Sequence, residues 1–252
     1  MSESRDDLQL AWPELVRKIR ARTPARVLMG RSGAAYRTQT QLDLREAHAS
    51  ARDAVRAELD LERHLGSAFV SRWGLFEVCT LAETKEEYLL NPNLGREFSK
   101  QATVDIRRRC SPGTDLQIAI GDGLSVTAVS EQVPKLLPSL VEIAKARGWT
   151  IGQPFVIRHC RVGVLNAIGE LLAARIVLLL IGERPGLATA ESLSGYMAYE
   201  PNRLHTDADR NLVSNIHRRG VSPEDAAIRL LDLSARMMQT RCSGTRLSVP
   251  SS

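Results

Sequence analysis

The chain has 252 residues, of which 43% are apolar and 25% are charged, values that are typical of a folded globular protein. Disorder is excluded as the main state, because this much apolar side chain is enough to form a core. The net charge is +5, and only five of the 34 basic residues are lysine. A nucleic-acid protein usually has basic clusters with interleaved aromatic residues, but here only Arg107–Arg109 clusters, so that class is disfavoured.

Neither a membrane span nor a secretory signal is predicted. The longest apolar run, Ile176–Ile181, is far shorter than the ~20 residues that a bilayer helix needs, and the first residues are polar. The cysteines are too far apart for a CxxC pair or a dense disulfide framework, and they lie at Cys79, Cys110, Cys160 and Cys242. We therefore expect a protein of the reducing cytoplasm with no membrane partner.

The first 110 residues are predicted to be a mainly helical region with one strand. An irregular loop is expected around Pro24, Gly30 and Gly33. Thr84 has the capping-box spacing to Glu87 and predicts a short helix that ends before Asn91. The other predicted elements are helices over residues 7–22, 39–59 and 96–109, and a strand over residues 74–83.

From residue 111 to the end, strands alternate with helices. Strands are predicted over residues 115–120, 154–158, 175–181 and 195–199, and helices over residues 124–132, 137–147, 165–174 and 222–240. This order predicts an α/β domain at 111–252, with a mostly parallel, Rossmann-like sheet and flanking helices. The continuous apolar run at 175–181 is typical of a strand buried on both faces of a parallel sheet.

Three glycine-containing loops follow the predicted strands, at the edge where open α/β sheets bind ligands. Asp122 lies between Gly121 and Gly123, and Glu183 follows Gly182. Both carboxylates could accept hydrogen bonds from a ligand, or both could be solvated acids in tight turns. The spacing alone leaves these two interpretations open.

The common catalytic and nucleotide-binding motifs are absent from the sequence. It has no P-loop, no G-x-G-x-x-G after a strand, no G-x-S-x-G and no H-E-x-x-H. Residues 215–220, which include His217, match D-x-H-x-x-G, a motif with which one corrinoid-binding family ligates cobalt, at every position except the first. Because Asn215 occupies the Asp position, we do not assign His217 to a metal. The residues alone predict an α/β ligand-binding domain without naming its ligand.

Several strings in the chain, taken in order, resemble the small subunit of ethanolamine ammonia-lyase. In the C-terminal half they are Asp115-Leu-Gln-Ile-Ala-Ile-Gly-Asp-Gly-Leu-Ser125, Arg161-Val-Gly-Val164, Ile168-Gly-Glu-Leu-Leu172, Leu180-Ile-Gly-Glu-Arg-Pro-Gly-Leu187, Asp209-Arg-Asn-Leu-Val-Ser-Asn-Ile216 and Ser243-Gly-Thr-Arg-Leu247. In the N-terminal half they are Ala21-Arg-Thr-Pro-Ala-Arg26, Gly30-Arg-Ser-Gly33, Ala47-His-Ala-Ser-Ala-Arg-Asp-Ala-Val55 and Tyr88-Leu-Leu-Asn-Pro-Asn-Leu-Gly-Arg96. The resemblance covers nearly the whole chain.

The resemblance implies a carbon–nitrogen lyase that uses adenosylcobalamin to convert ethanolamine to acetaldehyde and ammonia by radical chemistry. In that family a large subunit binds the substrate, and the small subunit closes over the cobalamin that lies between the two. The C-terminal domain is therefore expected to face cobalamin and to hold neither a catalytic acid–base residue nor a protein metal ligand. The implied assembly is a hetero-oligomer with six copies of each chain, either free in the cytoplasm or inside a bacterial microcompartment.

The family's cobalamin contacts correspond to three positions of this sequence. Two of them, Val162 and Glu183, lie just beyond predicted strands. The third is a cysteine in the family and Leu212 here, which puts any role of a thiol in doubt, whereas a packing or backbone contact would survive the change. Arg161 and Arg184 are expected as cofactor neighbours, although either could pair with local acids instead.

A hypothesis of a different class is a stand-alone α/β module that binds a nucleotide-like or anionic ligand through its arginine-rich loops. It predicts a stable monomer that binds its ligand without a partner. The lyase-subunit hypothesis predicts that the isolated chain is inactive and poorly soluble, because its partner-facing surface would be exposed. The strings quoted above favour the lyase subunit.

Overall fold

The computed structural model of the protein describes residues 5–23, 25, 27–186 and 189–247. The chain divides into two compact units. The first comprises Met1–Ala51 with Gly186–Thr189, and the second comprises Arg52–Pro185 with Ala190–Ser252. The predicted division into regions 1–110 and 111–252 stays a prediction.

The first unit contains a helix, a small hairpin and most of a second helix. They are α1 (Arg5–Ala21), β1 (Arg31–Ser32), β2 (Ala35–Tyr36) and α2 (Thr38–Arg56). The hairpin lies where an irregular loop is predicted. Its strands pair antiparallel across a two-residue turn, and Gly33 adopts the positive φ of +62° that such turns require.

The second unit is built around one sheet. Before the first central strand come α3 (Leu61–Leu65), α4 (Ser67–Trp73), β3 (Glu77–Cys79), α5 (Lys85–Leu90) and α6 (Lys100–Arg109). The remaining elements are β4 (Leu116–Gly121), α7 (Val126–Ala146), β5 (Phe155–Arg158), α8 (Val164–Leu172), β6 (Ile176–Gly182), β7 (Leu193–Tyr199), β8 (Asn211–Ile216) and α9 (Pro223–Thr240). Within the described ranges, no helix combines the length and the apolar character needed to cross a membrane.

The sheet has six strands in the order β3-β5-β4-β6-β7-β8. The pairs β3–β5, β5–β4 and β4–β6 are parallel, whereas β6–β7 and β7–β8 are antiparallel. The predicted mixed α/β class with a mostly parallel sheet is confirmed. The Rossmann-like and cobalamin-facing descriptions stay predictions. The strand β3 joins this sheet although it lies within the first 110 residues.

The two faces of the sheet pack against different helices. Successive residues of β6 alternate between the faces, so Leu178 joins the cluster with α7 and α9, and Leu179 joins the cluster with α6 and α8. Every residue of β6 is buried, as the apolar run predicts. Of its two neighbouring strands, β4 is parallel and β7 is antiparallel. The parallel pairing expected on both sides of β6 is therefore found only with β4.

The helix α7 corrects the prediction of two helices at 124–132 and 137–147. It is continuous, although Pro134 and Pro138 lie inside it. An internal proline removes a backbone hydrogen bond and costs about 3 kcal/mol. Burial of Leu136, Leu137 and Leu140 against the sheet offsets that cost, which local propensity could not indicate.

The strand β8 is absent from the prediction. Its burial alternates only weakly, and Asn215 leaves the extended conformation with φ of +59°. The pairing of β7 with β8 also shifts between Leu193 and Gly195, as in a β-bulge. A short, polar edge strand with a local bend gives little hydrophobic periodicity to detect.

Candidate functional site

The carboxyl end of β4 leads directly into a completely buried acid, Asp122. Its Oδ1 accepts a hydrogen bond of 2.8 Å from the backbone N–H of Cys160, and its Oδ2 lies 3.2 Å from Nζ of Lys85. Nζ of Lys85 also donates to the carbonyl of Gly123 at 3.1 Å. Asp122 therefore binds α5 and the end of β5 to the loop after β4, and no side of its carboxylate faces solvent.

A close approach of two loops explains why glycine follows this acid. Gly123 has φ of +55°, and a Cβ atom placed on it would lie 2.3 Å from the carbonyl oxygen of Gly182. Any larger residue would push apart the loops that follow β4 and β6. The glycine pattern that predicts a ligand edge thus serves the packing of the chain itself at this position.

Tyr88 lies beside the buried Asp122–Lys85 pair and contacts Arg161. The Tyr88 hydroxyl donates to the carbonyl of Cys160 at 2.8 Å. The guanidinium of Arg161 stacks over the Tyr88 ring at 4.4 Å from its centroid. Burial raises the pKa of Tyr88, and the negative charge of Asp122 adds to the shift. Arg161 is thus half-buried against an aromatic ring. Beside the β4–α7 loop, the edge of the sheet is already filled by Asp122 and Lys85.

Glu183 follows β6 and is held by β7 and β8. Its carboxylate accepts hydrogen bonds from the hydroxyls of Ser192, at 2.8 Å, and Ser194, and from the backbone N–H of Asn215 at 3.2 Å. Its own N–H donates to the carbonyl of Ser192 at 3.0 Å. A carboxylate has about four acceptor positions, so one remains available on this partly exposed group.

Leu212 and Tyr196 lie opposite each other on β8 and β7, and therefore on the same face of the sheet. Leu212 is 45% exposed. Burial raises the pKa of Tyr196, and the negative charges of Glu183 and Asp207 add to the shift. Leu212 is therefore level with Tyr196, whereas Glu183 lies beside Ser192 and Ser194, two to four residues away from Tyr196 along the chain. The sequence analysis did not assign Tyr196, although the alternation within 193–199 would have placed it on one face of a strand.

The other two predicted site residues lie in loops at the same edge. Val162 lies in the connection from β5 to α8, two residues before the helix, and is half-buried against the cluster that contains α8. Arg184 is exposed in the loop after β6. In the sheet, β4 separates β5 from β6, and β7 separates β6 from β8. The row from Val162 through Glu183 to Leu212 thus crosses four strand spacings, or ~20 Å at ~4.8 Å each. The register places Leu212 level with Leu179, ~13 Å along the strands from Glu183. The assignment of these five residues to a cofactor stays a prediction.

His217 has both ring nitrogens engaged within the chain. Nδ1 accepts a hydrogen bond from the N–H of Arg219 at 3.2 Å, so Nε2 bears the hydrogen that is donated to Oδ1 of Asn215 at 2.7 Å. His217 is buried and stabilises the turn after β8. Among the residues that the structure describes, no three His, Cys, Asp or Glu side chains are grouped so that they could hold a metal ion.

Comparison with known families gives a match that spans nearly the whole chain. Residues 13–248 match the family described as "Ethanolamine ammonia-lyase light chain (EutC)". This range includes the edge of the sheet described above and each of the five predicted site residues.

Curated relatives agree with this match. A protein of Clostridium acetobutylicum is 39% identical over 236 residues, which is 94% of this chain and 95% of that protein. A protein of Clostridium perfringens is 38% identical over 230 residues, and one of Clostridioides difficile is 37% identical over 229 residues. Each of these two alignments covers 91% of this chain and 76% of the relative. All three relatives are named "Ethanolamine ammonia-lyase small subunit".

Proposed function

The chain belongs to the ethanolamine ammonia-lyase light chain family, and from this premise we propose that it is the small subunit of an adenosylcobalamin-dependent ethanolamine ammonia-lyase. The enzyme would convert ethanolamine to acetaldehyde and ammonia. The observation that supports this proposal most strongly is the 39% identity over 94% of the chain to a relative of that name. An alignment of this extent includes the fold and the candidate site together.

We propose a large subunit as the partner, because the relatives are named as small subunits. The partner would bind ethanolamine and supply the acid–base groups of the reaction. The proposed assembly is a hetero-oligomer with six copies of each chain. This chain would then contribute to the activity by holding the cofactor rather than by reacting with the substrate.

The residues at the sheet edge fit a large cofactor with amide and apolar surfaces. Leu212 is 45% exposed on a strand, where it can pack against such a ligand, and the row from Val162 to Leu212 is long enough for one. Bound adenosylcobalamin would supply radical chemistry through homolysis of its cobalt–carbon bond. This fit supports the cofactor proposal and does not require a thiol at position 212.

Each predicted residue would then have a separate task in binding. Glu183 is oriented by Ser192, Ser194 and Asn215, so its remaining acceptor position can receive a cofactor N–H at little cost in side-chain entropy. Val162 and Leu212 would provide apolar contact on either side of it. Arg161, stacked on Tyr88, would order the β5–α8 loop, and Arg184 would lie at the exposed rim.

Retention of hydroxocobalamin on gel filtration tests this proposal. The chain alone, the large subunit alone and the co-expressed pair would each be loaded with hydroxocobalamin. We expect the pair to elute together and to retain about one cobalamin per chain pair, while either subunit alone retains far less. Stoichiometric binding by this chain alone would overturn the proposal and favour the stand-alone binding module.

A further inference from the structure

A polar cavity of about 360 Å³ opens beside the first turn of α8, next to the row of predicted cofactor contacts but lined by none of them. It lies between that turn, the segment around Arg96 and the connection from β7 to β8. Gly163, Asn166, His205 and Arg210 line it together with Arg96. The proposed function assigns no ligand to this cavity.

Arg210 is the buried charge of the cavity, with only 6% of its side chain exposed. One guanidinium nitrogen, Nη1, pairs with Asp207, and Nη2 donates to Oδ1 of Asn166 at 3.2 Å. The third nitrogen, Nε, is buried and has no hydrogen-bond partner. Burial lowers the pKa of Arg210, the negative charge of Asp207 opposes that shift, and the positive charge of Arg96 adds to it. A further anion between Arg96 and Arg210 would favour the charged form of Arg210.

His205 presents a second donor without a partner. Its Nε2 lies 3.4 Å from Nδ2 of Asn202, which is a donor because Oδ1 of the same amide accepts from the N–H of Leu204 at 3.0 Å. Nε2 is therefore the acceptor, and the hydrogen resides on Nδ1. Nδ1 is buried and lacks an acceptor. Both unpartnered polar groups on the cavity wall are thus donors, so the complementary ligand is rich in acceptor oxygens.

The acids around the cavity are exposed or already paired. Glu170 accepts hydrogen bonds of 3.0 Å from both N and Nε of Arg203, whose side chain is 83% exposed. The side chain of Asp207 is 86% exposed, and Glu97 is also exposed. Within the described residues, Arg96 forms no ion pair. The buried end of the cavity is therefore positive, and its acids face solvent.

The first turn of α8 adds to this positive end. Gly163 occupies the N-cap position and lines the cavity, so the positive end of the helix dipole lies beside it, while the N–H groups of the first turn donate to the carbonyls of residues 161–163. A Cβ atom on Gly163 would lie 2.8 Å from Cγ of Arg96, which keeps the Arg96 side chain close to the helix end.

We propose that this cavity binds a phosphate-type oxyanion between Arg96, Arg210 and His205, beside the first turn of α8. A tetrahedral oxyanion offers more acceptor oxygens than a carboxylate, and the donors here come from three separate side chains. The oxyanion could belong to a free phosphate ester or to the phosphodiester of a bound cobalamin. The proposal itself does not depend on the proposed function.

Calorimetric titration with inorganic phosphate tests the site. The sample is the full chain, in complex with its large subunit where the two co-purify. We expect saturable binding, weakened about tenfold by Arg96→Gln, because one charge-assisted hydrogen bond is lost. Arg96→Lys should restore most of the affinity. Arg203→Gln is the matched control, since Arg203 lines the same cavity but is exposed and paired with Glu170, and it should change the affinity less than about twofold.

A second variant changes the buried Arg210, and its folding is checked separately from its binding of phosphate. Arg210→Lys keeps the charge and removes Nε, so it should also weaken phosphate binding, and a thermal melt shows whether it is folded. No phosphate binding by the wild type, unchanged affinity in Arg96→Gln, or tighter binding of acetate than of phosphate would overturn the proposal.

Repeating the phosphate titration in the presence of saturating hydroxocobalamin distinguishes the two sources of the oxyanion, a free phosphate ester and the phosphodiester of a bound cobalamin. Loss of phosphate binding would identify the cofactor's phosphodiester as the occupant, and simultaneous binding would identify a separate phosphate ester. Either result supports the oxyanion site. If cobalamin does not bind, the proposed function fails, while the titration with phosphate alone still decides this proposal.

Discussion

Two acids that look alike in the sequence have different surroundings in the fold. Asp122 and Glu183 each follow a glycine at the end of neighbouring strands, and each adds to the rise that burial causes in the pKa of a tyrosine, Tyr88 or Tyr196. Asp122 is completely buried against Lys85 and Cys160. Glu183 is partly exposed and held by two hydroxyls and one backbone N–H.

The difference depends on what packs over each loop. The helix α5 brings Lys85 over the loop after β4 and closes it. No such cation reaches Glu183 within the described residues, and β7 supplies serines instead. A glycine–acid turn after a strand can therefore be an internal support or a candidate ligand contact, and the covering element decides which. The following predictions test that contrast.

Substitution of the buried acid should have the largest effect. Asp122→Ala leaves the ammonium of Lys85 buried without its partner, and we expect the free energy of unfolding to fall by about 3–5 kcal/mol. Urea denaturation followed by circular dichroism measures this change. Asp105→Ala removes the partly exposed pair with Arg108 and should cost no more than about 1 kcal/mol. A similar small loss for Asp122→Ala would contradict an internal-support role.

Substitution of the open acid should affect the cofactor instead of the fold. Glu183→Gln keeps the size of the side chain and removes its charge, so we expect about tenfold weaker binding of hydroxocobalamin by the two-subunit complex. The urea midpoint should change little. Glu131→Gln, on the exposed side of α7, is the control and should leave the affinity unchanged. If Glu183→Gln binds cobalamin as tightly as the wild type, Glu183 is not a contact.

A smaller effect is expected at Leu212, where the sequence departs from the family's cysteine. Full burial of a leucine contributes about 1.5–3 kcal/mol, and roughly half of that remains available to a 45% exposed side chain. Leu212→Asp should therefore weaken cobalamin binding about fivefold with no loss of fold. Leu212→Cys should stay within about threefold of the wild type. A large gain in affinity for Leu212→Cys would show that sulfur matters.

The smallest effect is a pKa change that locates Glu183 beside Tyr196. Removing the negative charge in Glu183→Gln makes the tyrosinate less unfavourable, so the pKa of Tyr196 should fall towards its ordinary value. NMR titration with ring-labelled tyrosine follows each residue, and Tyr196→Phe assigns the signal. The pKa of Tyr88 should not move. An unchanged Tyr196 would place Glu183 away from the β7–β8 face.

Much of the second unit could be predicted from the sequence, because its signals are local. The apolar run at 175–181 predicted the buried strand β6, and Thr84 caps α5 as expected. Ser222 caps α9 at the start of the helix predicted over 222–240. The resemblance to the ethanolamine ammonia-lyase small subunit is confirmed by the family match over residues 13–248. These features depend on periodicity, capping or similarity over nearly the whole length, all of which one sequence contains.

The unpredicted features depend on contacts between distant residues. Lys85 meets Asp122 across 37 positions, and Tyr196 meets Leu212 only after β7 and β8 pair. The continuity of α7 through two prolines depends on packing against the sheet. The polar side chains that line the cavity, such as Arg96, Asn166 and Arg210, come from three separate segments. None of these has a local pattern, so neither spacing nor composition could have identified them.

The most direct test of the central proposal is ammonia release from ethanolamine. The chain would be co-expressed with the large subunit and assayed with and without adenosylcobalamin, beside each subunit alone. The account predicts ammonia release only when both chains and adenosylcobalamin are present. Full activity of the large subunit without this chain, or no activity from a folded two-chain complex that has bound the cofactor, would contradict it.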